Sequence, residues 1–283
     1  MKKIVVIALL MNPFYPSLAQ NTLVSLCELP NELEEISGMA YDHTEELLWA
    51  INDSGNDAVV YGITPDGCNV TSKLFLTNAS NVDWEAITLN HKGQLFVADI
   101  GNNNYKRKSL KIYWLEAPFS LGKSNVKPLA TKVKFPEAVS KKGKITYDFE
   151  AMVYIDGYFY FFSKTHKTDR YNGVTNVFKS AAVPGTVHAS KIGQIRLCDN
   201  AHNCKITDAN YNYNTKTLAL LSHKNIWLIS DFINQLNNKS VTSSRIKLDQ
   251  GSQKEGITFK ADNTLFVSEE KTDGPNLLYT IGW

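Results

Sequence analysis

Apolar and polar residues alternate along most of this chain in short runs separated by turn residues, a pattern that predicts strands rather than helices. One six-residue pattern opens five of these runs. Its copies are Ile36-Ser37-Gly38-Met39-Ala40-Tyr41, Trp84-Glu85-Ala86-Ile87-Thr88-Leu89, Phe149-Glu150-Ala151-Met152-Val153-Tyr154, Ile206-Thr207-Asp208-Ala209-Asn210-Tyr211 and Lys254-Glu255-Gly256-Ile257-Thr258-Phe259. The second residue of each copy carries a side-chain oxygen: Ser37, Glu85, Glu150, Thr207 and Glu255. The spacings are 48, 65, 57 and 48 residues (37 to 85, 85 to 150, 150 to 207, 207 to 255). Repeats near this size, each a set of short strands, predict propeller blades.

In the first repeat the alternation predicts strands at Ser37–Tyr41, Leu47–Ile51, Val59–Ile63 and Val70–Leu76, with Pro65-Asp66-Gly67 turning between the last two. The later repeats open with Glu85–Leu89, Glu150–Ile155, Thr207–Asn212 and Gly256–Lys260, and the third ends in a long strand around Val187–Arg196. Asp231–Asn237 reads as a helical turn and Pro136–Lys144 as a charged insertion. The fifth repeat lacks a fourth strand, whereas Leu23–Glu28 precedes the first repeat and belongs to none. Closing the ring with that segment completes the last blade and leaves no sheet open there. The expected fold is all-β: one five-bladed propeller of four-stranded blades over residues 20–283, closed by the N-terminal strand.

Equivalent positions on innermost strands face one central channel, so the repeat predicts an axial ring of five oxygen-bearing side chains, three of them carboxylates. At roughly 6 Å and an effective dielectric near 20, each pair of ionised glutamates repels by about 3 kcal/mol, on the order of 8 kcal/mol for three pairs. Protons or a cation must offset this. Hard oxygen ligands without Cys or His favour Ca2+ over Mg2+, whose tight octahedron suits a fivefold ring poorly. The alternative is that the glutamates hydrogen-bond the backbone of neighbouring blades.

The ends of the second strands should lie on the same face. They read Asn52-Asp53-Ser54-Gly55-Asn56, Asp99-Ile100-Gly101-Asn102-Asn103-Asn104, Ser163-Lys164-Thr165-His166, Ser222-His223-Lys224 and Ser268-Glu269-Glu270. Plain turn chemistry accounts for much of this. The competing reading is a funnel rim of Asp53, Asp99, Lys164, His166, His223 and Glu269 that would suit an anionic or phosphorylated ligand above a metal.

Net charge is +2 over 283 residues with no long basic run, which argues against nucleic acid as a partner. Residues 1–19 read as a secretory signal: Lys2 and Lys3, an apolar Ile4–Met11, then Ser17-Leu18-Ala19 before Gln20. The apolar run is far shorter than the roughly 20 residues of a spanning helix. A periplasmic or secreted location follows, and the four cysteines agree with it. Cys198 and Cys204 flank a polar loop and are expected to pair, leaving Cys27 with Cys68. There is no Gly-x-Ser-x-Gly elbow, no His-Glu-x-x-His and no phosphate-binding Gly-Lys-Ser/Thr loop.

The order Ser37, Glu85, Glu150, Thr207, Glu255 resembles that of small periplasmic five-bladed propellers of the SdiA-regulated family, which carry Ser, Glu, Glu, Ser, Glu. The resemblance covers roughly residues 34–283 and implies the fold and a metal. The Asn-Asp-Ser-Gly-Asn and Asp-Ile-Gly-Asn-Asn stretches, with Asp83-Trp84-Glu85 between them, are similar to a wider set of exported propellers that have Asp where Asn102 or Asn103 stands. Calcium-activated apyrases are similar in architecture only. Two functions fit the sequence. One is a calcium-containing module that binds a small molecule, glycan or protein segment at the axial face. The other is a calcium-dependent hydrolase of phosphoesters, phosphoanhydrides or lactones, with Asp53, Asp99 or His166 as acid or base.

Overall fold

The computed structural model describes residues 22–116, 122–166, 173–198, 204–248, 252–272 and 274–283. The expected signal, residues 1–19, lies outside them. Five antiparallel sheets radiate from a common axis. After β1 (Val24–Glu28), the first blade is β2 (Ile36–Asp42), β3 (Leu47–Asn52), β4 (Val59–Ile63) and β5 (Val70–Leu76). The second is β6 (Trp84–Leu89), β7 (Leu95–Asp99), β8 (Leu110–Leu115) and, after the intervening β9 (Gly122–Val126), β10 (Leu129–Lys134). The third is β11 (Tyr147–Ile155), β12 (Tyr158–His166), β13 (Val174–Ala181) and, after β14 (Gly185–His188), β15 (Ser190–Arg196). The fourth is β16 (Asp208–Asn212), β17 (Thr217–Ser222), β18 (Asn225–Ile229) and β19 (Ser244–Lys247). The fifth is β20 (Lys254–Ala261), β21 (Thr264–Glu269) and β22 (Leu277–Gly282), completed by β1.

Each blade packs against a neighbour on both faces. Its middle strands are therefore unbroken apolar runs, such as Leu-Leu-Trp-Ala-Ile in β3, with every residue buried. The outermost strands alternate, as in β10, where only Thr131 and Val133 are buried. One apolar cluster fills each blade junction. The junction of blades two and three is packed with Phe96, Phe135, Phe149, Phe159, Phe161 and Phe178, whose rings meet mainly edge to face. The helical turn α1 (Phe232–Asn237) buries Phe232 and Leu236 between blades three and four.

The ring closes as expected, with β1 antiparallel to β22. Both anticipated disulfides are present, and Cys27–Cys68 ties the closing strand to the turn between β4 and β5. Two features depart from a simple set of four-stranded blades. β9 adds parallel to β5, and β14 adds parallel to β10, so two sheets have five strands. Each covers an outer edge that would otherwise present unpaired backbone groups. The single long strand expected around Val187–Arg196 is accordingly broken: Ala189 N–H bonds Lys134 O (2.8 Å) while β15 returns to blade three. No described helix is long and apolar enough to cross a membrane.

Candidate axial cation site

Four of the five repeated oxygen-bearing residues sit at the same irregularity. The ladders of β2, β6, β11 and β20 shift register between Ile36 and Gly38, Trp84 and Ala86, Phe149 and Ala151, and Lys254 and Gly256. The residues skipped are Ser37, Glu85, Glu150 and Glu255. A bulge leaves one residue unpaired and re-aims its side chain. Here all four turn to the axis and line a cavity of about 160 Å³. Thr207 is not on its wall; its hydroxyl donates to Lys254 O (2.7 Å), just before Glu255. The Ser37 hydroxyl does the same to Trp84 O (2.8 Å), just before Glu85. Both hydroxyls latch one blade to the next where the glutamate bulge begins.

The small residues that follow allow the inner strands to close up. A methyl group on Gly38 would press on Ala86 Cα and Ile87 N at 3.2 Å. In the fourth blade Asp208 takes this place, and its carboxylate accepts the amides of Ala209 and Ile257, each at 2.8 Å, together with that of Met39. Burial still holds Asp208 well above the usual carboxylate range.

A second set of side chains surrounds the first. Asn52, Asp99, Ser163 and Glu269 pair across the ladder with the residue before each bulge. One residue further on stand Asp53, Ile100, Lys164 and Glu270, with His223 after Ser222 in the fourth blade. Asp53, Lys164, His223 and Glu270 line the cavity, and Ile100 is buried in the core. The sequence-expected rim is corrected at two positions that are one residue out of phase. Asp99 is fully buried and accepts Arg107 Nη1 (2.8 Å) and the Asp83 amide (3.1 Å). Glu269 pairs with Lys254 Nζ (2.6 Å) and accepts Tyr279 Oη (2.9 Å). His166 ends β12, and its side chain lies outside the described residues. Asp83, Asn103, Gln253 and Glu270 join the site without having been anticipated. Asp83 stands just before β6, and its carboxylate reaches those of Asp53 and Glu85.

Five carboxylates thus line the wall, with Lys164 as its one basic side chain besides His223. Lys164 Nζ lies 2.9 Å from Glu150 Oε2. Burial works against the charge on Lys164, but Glu150, Glu255 and Glu85 outweigh it and hold the ammonium above its ordinary value. Burial pushes Glu150 up to about 8 despite Lys164, and Glu150 Oε1 is buried without a hydrogen-bond partner among the described residues. Glu85 is driven well above its usual range by burial, then by Glu150 and Asp53. Burial raises Glu255 likewise. Burial, then Lys164, lowers His223 to about 4, leaving a neutral imidazole whose Nδ1 is 3.6 Å from Glu255 Oε1.

Three acids beside the cavity come together without an ion pair of their own. Asp53, Asp83 and Glu85 each place an oxygen within 4.8 Å of the others, and none of them forms an ion pair among the described residues. Asp83 is raised to about 6 by burial, then by Asp53 and Asp148. Gly101 makes this crowding possible: a methyl group there would collide with both the Asp83 and Glu85 carboxylates.

No family model and no curated protein matches the chain. Among solved structures, it is similar to the PQQ-bound form of an aldose sugar dehydrogenase from Streptomyces coelicolor. The TM-score is 0.50 over 92% of this chain and 97% of that chain, at 8% identity. A nidogen/laminin complex matches with a TM-score of 0.41 at 11% identity, over 83% of this chain and 72% of that chain. At 8% identity the likeness to the dehydrogenase extends to the propeller fold alone.

Proposed function

We propose that the axial cavity holds a calcium ion against Asp53, Asp83 and Glu85, and that the protein is an exported module binding an anionic ligand over that ion. The observation that carries this is the distribution of charge. Glu150 pairs directly with Lys164, whereas Asp53, Asp83 and Glu85 bring three acidic oxygens within 4.8 Å of one another and form no ion pair among the described residues. Carboxylate oxygens suit a hard cation, and Asn103 with water would complete six to eight ligands. The ion therefore lies to one side of the axis rather than at the centre of five equal ligands. Lys164 already supplies a fixed positive charge on the wall of the same cavity. A ligand bridging the calcium and Lys164 would carry negative charge, such as a carboxylate or phosphate. The likeness of the first-strand residues to those of the SdiA-regulated propellers supports the metal, and two disulfides fit an oxidising compartment.

The uncharged His223 imidazole, with Nδ1 unpartnered, favours a second reading: calcium-dependent hydrolysis of phosphoesters, phosphoanhydrides or lactones, with His223 as base. Elemental analysis and calcium titration calorimetry test the shared premise. One equivalent of calcium, with affinity reduced at least tenfold in Glu85→Gln, is expected; no binding up to about 1 mM, the weak end of known protein sites, would refute it. Turnover of a phosphoester and lactone panel that requires calcium and disappears in His223→Ala would then select hydrolysis over binding.

A further inference from the structure

The inner strands of all five blades run in the same direction along the axis, so the channel has a second mouth at their C-terminal ends. A separate cavity of about 260 Å³ opens there. Its wall comes from the end of β2 at Tyr41, the end of β6 at Leu89, and Tyr211 to Asn214 after and within β16. The end of β20 at Asp262 completes it. None of the residues used for the calcium site takes part.

The chemistry of this mouth is the opposite of the acidic one. No Lys or Arg lines it, and Asp262 is its one acidic residue. The remainder is mainly aromatic rings and amides, with the imidazoles of His43 and His91 among them. Tyr211 and Tyr213 meet edge to face, with centroids 5.2 Å apart, and the Tyr213 hydroxyl is pinned to Tyr154 O at 2.6 Å. Tyr41, on the opposite side, is braced edge-on by Phe266 at 5.2 Å. Asp262 Oδ1 accepts the amides of Asn212 (3.1 Å) and Asn214 (3.2 Å), which leaves Oδ2 as an acceptor without a partner among the described residues. Asn210 Oδ1 is taken by the Phe259 amide (3.2 Å), leaving its NH2 group as a donor. Rigid ring surfaces flanked by paired carboxylate and amide groups suit a molecule with apolar C–H faces and many hydroxyls. No Lys or Arg on the wall supplies a permanent positive charge that would select an anion. The volume lies just under the roughly 300–1,000 Å³ of drug-sized pockets, room for one or two sugar rings.

We infer that this second mouth is a binding site for a neutral carbohydrate, which stacks between Tyr41 and the Tyr211–Tyr213 pair and is hydrogen-bonded by Asp262 and Asn210. Burial keeps all three phenols above their ordinary pKa, so they remain donors at any physiological pH. The inference is independent of the calcium reading.

Saturation-transfer NMR on the intact mature protein, with glucose, N-acetylglucosamine, cellobiose and chitobiose as probes and choline as a cationic comparison, tests it. The expected result is saturable binding of at least one saccharide with Kd at or below about 5 mM. That binding should be weakened at least tenfold in Asp262→Ala and in Tyr211→Ala and should be indifferent to EDTA. Tyr211→Phe, which keeps the ring, should retain it, so a loss in Tyr211→Ala cannot be put down to misfolding. No saturable saccharide binding, preference for choline, or binding that survives both alanine variants would each overturn the assignment.

Discussion

Asp83→Asn should change the stability of this protein in opposite directions depending on calcium. The metal-free case follows from linkage. The Asp83 carboxyl is raised from 3.8 to about 6, so the folded state holds its proton more tightly than the unfolded chain does. Native stability contributed by that proton is fully present below pH 4 and is lost as pH rises through about 6. Two pKa units correspond to about 3 kcal/mol at neutral pH. Coulomb's law gives the same scale: two unit charges 4.8 Å apart at an effective dielectric of 20 repel by about 3.5 kcal/mol. Asn keeps the shape and discards the charge, and the Asp83 side chain accepts no hydrogen bond from a described residue that the change would break. In EGTA at pH 7.5 the variant should therefore be more stable than the parent by about 1–3 kcal/mol, the lower figure allowing for solvent reaching a half-buried group. At about 2–4 °C per kcal/mol this is a rise in Tm of roughly 2–12 °C. At pH 4 the gain should vanish.

With calcium present the order reverses. The parent gains RT ln(1 + [Ca]/Kd), about 4.1 kcal/mol at one thousand times Kd, which exceeds the variant's advantage in EGTA. The variant, one ligand short, gains little at the same concentration. Differential scanning calorimetry at two pH values, with and without chelator, reads all of these. A variant less stable than the parent in EGTA, or one raised by calcium as far as the parent is, would refute the argument that these acids are held together at a cost that a cation relieves.

Lys254 is wholly buried against Glu269 and 4.9 Å from the Tyr279 ring centroid, so Lys254→Met should cost about 3–5 kcal/mol by leaving a buried carboxylate unpaired. Adding Glu269→Gln should restore most of it, and additive losses in urea unfolding would dismiss the pair as a unit. Replacing Cys27 and Cys68 by Ser frees a loop with a sequence separation of 41 and should cost about 4 kcal/mol, against about 2 for the Cys198–Cys204 pair with a separation of 6. Equal losses for the two pairs in guanidinium would show that ring closure does not depend on the first.

Much of the fold was legible because a propeller repeats one physical problem five times. Each blade needs inner and middle strands buried on both faces and an outer strand with one wet face, and the burial patterns of β2, β3, β6, β7, β17 and β18 follow that rule. What could not be read was the covering of outer edges by β9 and β14. Those pairings are parallel and join different blades, so no local alternation announces them. The inner ring was legible for a similar reason: the oxygen-bearing residue recurs at a fixed offset. The bulge that turns it to the axis was not, since an extra residue in a ladder leaves the sequence alternation almost intact.

The rim failed at one identifiable step. Asp53-Ser54-Gly55-Asn56 and Asp99-Ile100-Gly101-Asn102 look like copies with the two aspartates aligned, but the ladder aligns Asn52 with Asp99. Because side chains alternate with a period of two, that single residue moves Asp99 from the cavity into the salt bridge with Arg107 and puts Ile100 in the outer-ring position. The same offset exchanges Glu269 for Glu270. With the register corrected, the five outer positions read Asp53, Ile100, Lys164, His223 and Glu270, and the chemistry of the site follows from their order. Blade three sets a lysine beside its glutamate, and blade four sets a histidine beside the glutamate of blade five. Blade two has Ile100 at the matching position, buried in the apolar core, while Asp53, Asp83 and Glu85 crowd together and Gly101 leaves room for the Asp83 and Glu85 carboxylates. Lys164 is the one cationic side chain among the five outer positions, and a bound cation would add positive charge where Asp53, Asp83 and Glu85 meet without an ion pair among the described residues.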